Sequence, residues 1–197
     1  MSRLLIATHN RGKIAELEAL LSGLSLEIHT PDDYPDGPEV EETEPTLEGN
    51  ALLKARAWNK YTGLPALADD TGLEVDALGG KPGVRSARYA GDEANAARNR
   101  EKLLADLGTN AALPRSARFR VVVAFVDGEE RTFEGVCEGE IAMTESGTGG
   151  FGYDSIFRPT GYELTLGDLD ADTKNRISHR AAAMRAATRF LKKRFAG

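Results

Sequence analysis

Leu4-Leu5-Ile6-Ala7-Thr8-His9-Asn10-Arg11-Gly12-Lys13-Ile14 opens the chain with an apolar run, a polar loop and the start of an amphipathic segment that continues to Leu21. Apolar residues at helical spacing (Ile14, Leu17, Leu20, Leu21) predict a strand over 3–8, a tight loop and a helix over 13–22. Backbone amides at such a helix start lack intrahelical partners and carry the positive end of its dipole. Thr8 and Asn10 add hydrogen-bonding side chains, Gly12 allows close backbone approach and Lys13 adds a full charge. That set suits a phosphate group. α/β domains also open this way for structural reasons alone, so this stretch by itself leaves both readings open. It is not a G-x-x-x-x-G-K-S/T loop, because only Gly12 precedes Lys13 and Ile14 follows it.

The chain has 197 residues, enough for one sizeable core, and no composition shift or linker divides it, so a single domain over 1–197 is expected. Hydrophobic and charged fractions of 41% and 28% are those of a soluble globular protein. No apolar run is long enough to span a bilayer and no signal peptide is visible, so the expectation is a cytoplasmic protein without a membrane partner. Cys137 is the one cysteine, which excludes an internal disulfide and a cysteine-rich zinc site. The net charge of −6 argues against general nucleic-acid binding but not against a local nucleotide site.

Ser25–Thr30 reads as a second strand and 31–45 as an acidic, proline-rich loop. A helix follows over 46–62, with Asn50 and Lys54 stacked on one face. Short strands over 66–68 and 73–78 flank Asp69-Asp70-Thr71-Gly72, and 79–83 reads as a loop. A helix over 92–107 is expected to be capped by Asp92 and closed by Gly108. Runs at 118–126 and 131–143 form a hairpin through Asp127-Gly128. A Gly-rich loop (144–153), a helical turn (168–174) and a last helix capped by Ser178 complete the chain. Strands alternate with helices but a long hairpin interrupts them, which points to a mixed α/β unit.

Asp69-Asp70 is the clearest catalytic candidate. Adjacent strand residues face opposite ways, so the two carboxylates need not share a role. An exposed acidic turn is the competing reading and, from this motif alone, the stronger one. Hard oxygens from the Glu39–Glu44 loop and from Asp70 could complete a magnesium site, since magnesium takes only one or two protein carboxylates plus substrate phosphates. Gly147-Thr148-Gly149-Gly150-Phe151-Gly152 matches G-x-G-x-x-G formally, but no long helix or βαβ context follows. Its Phe151 can instead offer a face to a flat base, with Asp154 or another polar group supplying selectivity. Lys174, His179 and Arg180 surround a helix start, where the dipole disfavours cations and an anion or acceptor is needed to justify them.

Taken in series, these stretches resemble the inosine triphosphate pyrophosphatase family, the pyrophosphatases of non-canonical purine nucleoside triphosphates. The carrying residues are Thr8 to Lys13, Glu42-Thr43 with Asn50 to Ala55, and Ala68 to Leu73. They continue in Gly79 to Gly83 with Ser86 to Tyr89, Gly147 to Asp154, and Lys174 with Ser178-His179-Arg180. His9 stands where the family often has Gly, and Thr71 where it often has Ser. The resemblance implies an elongated α/β fold, a mixed sheet with flanking helices and two lobes around a central cleft, and a homodimer. It implies magnesium-dependent hydrolysis of ITP, dITP and XTP to the monophosphate and pyrophosphate, which cleanses the nucleotide pool. A Maf-type nucleotide pyrophosphatase and a non-catalytic nucleotide sensor are the alternatives.

On that resemblance, Thr8, His9, Asn10, Arg11, Gly12 and Lys13 grip the phosphates with Lys54 and Thr71. Glu42 and Asp70 hold magnesium, Asp70 accepts the proton of the attacking water, and Asp69 organises Lys54 or a metal-bound water. Phe151, with Gly152 and Tyr153 beside it, stacks on the purine, while Asp154, Lys174, His179 and Arg180 surround its edge. Donors there reward a 6-oxo group and clash with the 6-amino group of adenine.

Overall fold

Leu4, Leu5 and Ile6 are all fully buried, so from Leu4 onward the first strand has no solvent face. A strand of that kind sits inside a sheet with helices over both sides. The computed structural model, which describes residues 2–108 and 114–195, builds this arrangement. Strands β1 (Ser2–Ile6), β2 (Leu26–His29), β3 (Ala66–Val75), β4 (Lys81–Gly83), β5 (Ser116–Val126), β6 (Glu130–Ile141) and β7 (Phe157–Pro159) form one mixed sheet. Its order is β2-β1-β3-β5-β6-β7, with β4 also paired to β3. β1 runs parallel to β2 and to β3, while β4 is antiparallel to β3 and β7 to β6. The helices are α1 (Arg11–Leu21), α2 (Leu47–Thr62), α3 (Ala96–Leu107), α4 (Ala171–Ile177) and α5 (His179–Phe195).

The chain packs as two compact units. The first comprises the residues up to Asp70, Val121–Gly135 and Arg180 onward, and the second comprises Thr71–Arg120 and Val136–His179. No linker marks the exchange because it falls inside β3, β5, β6 and α5. The first unit's core sets Leu17 and Leu21 of α1 and Met184, Ala187 and Leu191 of α5 against Leu4, Leu67, Val123 and Phe125 of the strands. The second unit's core gathers Leu73, Leu103, Phe119, Ile141, Tyr153, Ile156 and Phe157.

Several sequence expectations are corrected. Residues 66–75 form one continuous strand, so Asp69 and Asp70 lie within β3 and are buried, and no turn forms there. Val75 ends that strand, and Asp76–Leu78 is a 3-10 turn. Lys81–Gly83, expected as loop, pairs with Val75, Glu74 and Leu73 as β4, with a cis Lys81–Pro82 bond. Asn95, not Asp92, caps α3: its side-chain oxygen accepts from the Arg98 amide at 3.0 Å. The turn expected at 168–174 is α4, starting later and capped by Asp170. The short strand β7, three residues long, pairs with Gly139, Glu140 and Ile141.

Leu67 shares its face of β3 with Asp69 and packs into the first core. Leu67→Ala should therefore lower unfolding free energy by about 2–5 kcal/mol, measured by urea denaturation.

Candidate functional site

Strand alternation sends Asp69 and Asp70 to opposite faces of β3. Asp69 follows Leu67 onto the face covered by α1 and α5. Its Oδ2 lies 3.2 Å from the Lys13 Nζ at the start of α1 and 3.0 Å from the Arg180 Nη2 at the start of α5. Arg180 reaches the same oxygen through Nε at 3.2 Å, and its remaining arm donates to Glu16 of α1. Glu16 lies one helical turn beyond Lys13, on the same side of α1. The carboxylate of Asp69 has no solvent exposure and the Arg180 side chain is 1% exposed.

Asp70 faces α2. The Asn50 Nδ2 donates to its Oδ2 at 3.1 Å, and the Lys54 Nζ stands 3.9 Å from its Oδ1. Lys54 also binds Glu42 at 2.5 Å. Asn50 is fully buried, and its Oδ1 accepts from the Glu44 amide at 2.9 Å. One side chain thus ties the acidic loop to the strand and fixes which end of its own amide meets Asp70.

These surroundings drive the two carboxyls apart. Burial works against the Asp69 charge, but Lys13 and Arg180 outweigh it and hold the group far below the usual carboxylate range. Burial pushes the Asp70 carboxyl up, the like charge of Glu42 adds to this, and Lys54 offsets it only in part. Burial lowers the Lys13 ammonium below its ordinary value despite Asp69. Burial acts the same way on Lys54, yet Asp70 and Glu42 overcome it and hold that ammonium above its ordinary value. Neighbouring titratable groups with opposed shifts are the usual arrangement where one acid is structural and the other reactive.

The polar loop closes this side. The Asn10 side chain accepts from the Lys13 amide at 3.1 Å, so it caps α1 and its oxygen is not free for a ligand. Thr8 Oγ1 accepts from the Asn10 amide at 3.2 Å. The first-turn amides of Arg11 and Gly12 lack intrahelical partners by helix geometry. His9 is exposed, with its ring 6.2 Å from Trp58. Thr71 follows Asp70 in β3 and is half-buried.

The second unit holds another group. Asp154 Oδ2 accepts from the Phe151 amide at 2.8 Å and from the Lys174 Nζ at 2.7 Å, and Lys174 stands 4.9 Å above the Phe151 ring. Gly150 adopts φ +71°, and a Cβ there would collide with the Asp154 carboxylate. The Tyr153 hydroxyl is buried and donates to the Ser86 carbonyl at 2.7 Å. His179 is buried and stacked on Phe119 at 4.7 Å.

The structure thus gathers Lys13, Lys54, Glu42, Asp69 and Asp70 in the first unit and Phe151, Asp154 and Lys174 in the second, where Tyr153 binds Ser86 and His179 packs on Phe119. Arg180, His179's neighbour in sequence and expected at the purine edge, donates to Asp69 and Glu16. Asp69, expected to organise Lys54 or a metal-bound water, pairs with Lys13 and Arg180 and also acts on the Lys54 ammonium through its charge. Asn50 and Glu16 were not assigned as site residues from sequence. A polar residue four positions before Lys54, and an acid three after Lys13, were the available signals. Among the described residues no three His, Cys, Asp or Glu side chains converge to hold a metal, and no helix is long and apolar enough to cross a membrane.

Residues 4–190 match the sequence profile of the Ham1 family. A dITP/XTP pyrophosphatase of Geobacter sulfurreducens is 47% identical over 186 residues, covering 93% of this chain and 94% of that protein. One from Streptomyces avermitilis is 47% identical over 189 residues, covering 94% of each. Among solved structures, a HAM1 protein from Coxiella burnetii matches with a TM-score of 0.88 at 40% identity, over 98% of this chain and 100% of that one. The Ham1 protein of Staphylococcus aureus matches with a TM-score of 0.85 at 37% identity, over 98% and 100%.

Asp69→Asn leaves two buried cations without their shared countercharge and should cost about 3–5 kcal/mol by urea denaturation. Because the folded Asp69 titrates below an unfolded aspartate, its contribution is complete above about pH 4 and is lost as pH falls further. Wild-type stability should therefore drop more steeply than that of Asp69→Asn between about pH 5 and pH 2.

Proposed function

The chain belongs to the Ham1 family, and from that premise we propose that it hydrolyses dITP, XTP and ITP to the nucleoside monophosphate and pyrophosphate. The observation that carries the mechanism is the contrast between the two carboxyls. Asp69 is committed to two buried cations, whereas burial favours a proton on Asp70. A base that gains a proton during the reaction needs the second environment.

Asp70 takes a proton from water as its oxygen attacks the α-phosphorus. The bond from that phosphorus to the bridging oxygen breaks, and pyrophosphate leaves with the electron pair. Lys13, Lys54 and the amides of Arg11 and Gly12 oppose the triphosphate charge that would otherwise repel the nucleophile. The Arg180–Glu16 pair holds Asp69, and Asp69 holds the Lys13 ammonium in place. Asn50 orients the Asp70 carboxylate toward its work.

Magnesium is part of the proposal. Glu42 and Asp70 supply hard oxygens, and their mutual repulsion is what a divalent cation relieves. Two carboxylates completed by substrate phosphates are a normal magnesium set. When bound, the ion neutralises charge on the phosphates. The residues above keep their roles as acceptor, clamp and orienting group.

The purine is assigned to the second unit. Phe151 offers its ring, and Lys174, His179 and the loop amides can donate to a 6-oxo group, whereas Asp154 braces Phe151 and Lys174. A donor-lined site leaves the 6-amino group of adenine facing donors, and such mismatches discriminate by roughly 10⁴-fold. A homodimer in the cytoplasm completes the proposal, supported by the motif series alone.

Asp70→Asn should cut turnover of dITP by about 10²- to 10⁴-fold while changing its binding little. Pyrophosphate release across dITP, XTP, ITP and ATP, with and without magnesium, is the assay, and near-normal turnover would remove Asp70 from its role. In the metal-free protein the Asp70 carboxyl should titrate above an ordinary aspartate, because burial and the charge of Glu42 disfavour its ionised form, and carboxyl-carbon NMR across pH is the check.

A further inference from the structure

Phe151 sits between two glycines, and its backbone has no regular secondary structure to hold it. On its amide side, Asp154 accepts from its N–H at 2.8 Å. On the far side, Gly152 takes φ +62°, a left-handed conformation without steric cost for glycine, so nothing intrinsic fixes the following peptide. The Phe151 carbonyl accepts from the Asp154 amide at 3.2 Å, and the next carbonyl along, that of Gly152, is held from α3. Arg100 Nη1 donates to the Gly152 carbonyl at 2.9 Å, and its Nε donates to the Glu145 carboxylate, also at 2.9 Å. The same Glu145 oxygen accepts from the Ser155 hydroxyl at 3.1 Å. Glu145 precedes the glycine-rich loop and Ser155 follows it, and the Ser146 amide closes the same neck by donating to the Ser155 carbonyl at 2.8 Å.

The guanidinium therefore spans the loop. One arm grips its neck and the other grips the carbonyl of Gly152, one residue beyond Phe151. A planar fork with donors in fixed directions can hold both at once, which a single ammonium cannot match. The geometry points to Arg100 as a positioning residue for the Phe151 ring, setting its plane for stacking without touching the substrate. This rests on the reading that Phe151 receives the purine. Sequence offered no signal for it, since Arg100 lies in a helix of mixed charge more than forty residues before the loop it holds.

The test compares Arg100→Ala, Arg100→Lys and Phe151→Ala. The readouts are KM and kcat for dITP and inhibition by inorganic tripolyphosphate, which carries the phosphate charge and no base. Arg100→Ala should raise KM for dITP about tenfold, the loss of one charge-assisted hydrogen bond at its weaker limit, with kcat within about twofold. The Ki of tripolyphosphate should not move, and Arg100→Lys should fall between Ala and wild type. Phe151→Ala should raise KM at least as far. If Phe151→Ala raises KM and both Arg100 variants leave it unchanged, Arg100 has no positioning role and the base-site reading survives. If Phe151→Ala leaves KM unchanged, the base-site reading itself fails. A Ki that rises in step with KM in the Arg100 variants indicates general loss of structure and also overturns the proposal.

Discussion

Everything in the first unit answers to one constraint, the negative charge of Asp69 held without solvent in the middle of β3. An unpaired carboxylate there would cost several kcal/mol or take up a proton. It stays ionised because Lys13 and Arg180 converge on one of its oxygens. Those residues come from the start of α1 and the start of α5, so three segments far apart in sequence must meet at one point. Ion pairing supplies little net stability for this, since desolvation consumes most of the attraction. The apolar contacts of Leu17, Leu67, Met184 and Leu191 hold the helices to the sheet, and the ion cluster fixes their register along it.

The same strand then gives two adjacent carboxyls opposite surroundings. Alternation places Asp69 among cations and Asp70 against α2, where Asn50 is its hydrogen-bond donor and Glu42 a like charge nearby. Had the pair formed a solvated turn, both carboxyls would titrate as ordinary aspartates and the opposed shifts of Asp69 and Asp70 would not arise. Burial within a continuous strand makes the difference, and it requires the partners on both faces to be present together.

That requirement explains what could be read in advance. β1, the polar loop and α1 were legible because their apolar spacing is local. α2 and the apolar face of α5 were legible for the same reason. The Asp-Asp-Thr-Gly stretch was misjudged because its composition is that of a turn, and the cations that allow it to remain strand lie at Lys13 and Arg180. β4 and β7 span three residues each and exist through their pairing with β3 and β6, which no local pattern encodes. Arg180 was placed by its neighbours Ser178 and His179, yet the helix start turns its side chain toward Asp69 while His179 stacks on Phe119. Adjacent helical residues differ by about a third of a turn, so sequence proximity is a poor guide to a shared site.

Under the proposed function, selectivity among triphosphates cannot come from the phosphate grip. Adenosine and inosine triphosphates carry the same phosphates, so contacts from Lys13, Lys54 and the α1 amides stabilise both equally and cannot distinguish them. Discrimination is a difference of affinities and must arise where the substrates differ, at the purine edge. A strong phosphate grip even works against selectivity in one respect, because it raises the affinity of abundant wrong substrates. The base-binding group therefore has to be rigid: a ring free to shift could accommodate a 6-amino group by moving, and the energetic gap would close. Around Phe151 that rigidity comes from the Asp154 carboxylate that accepts from its amide, the Lys174 ammonium over its ring and bound to Asp154, and the Gly152 carbonyl held by Arg100.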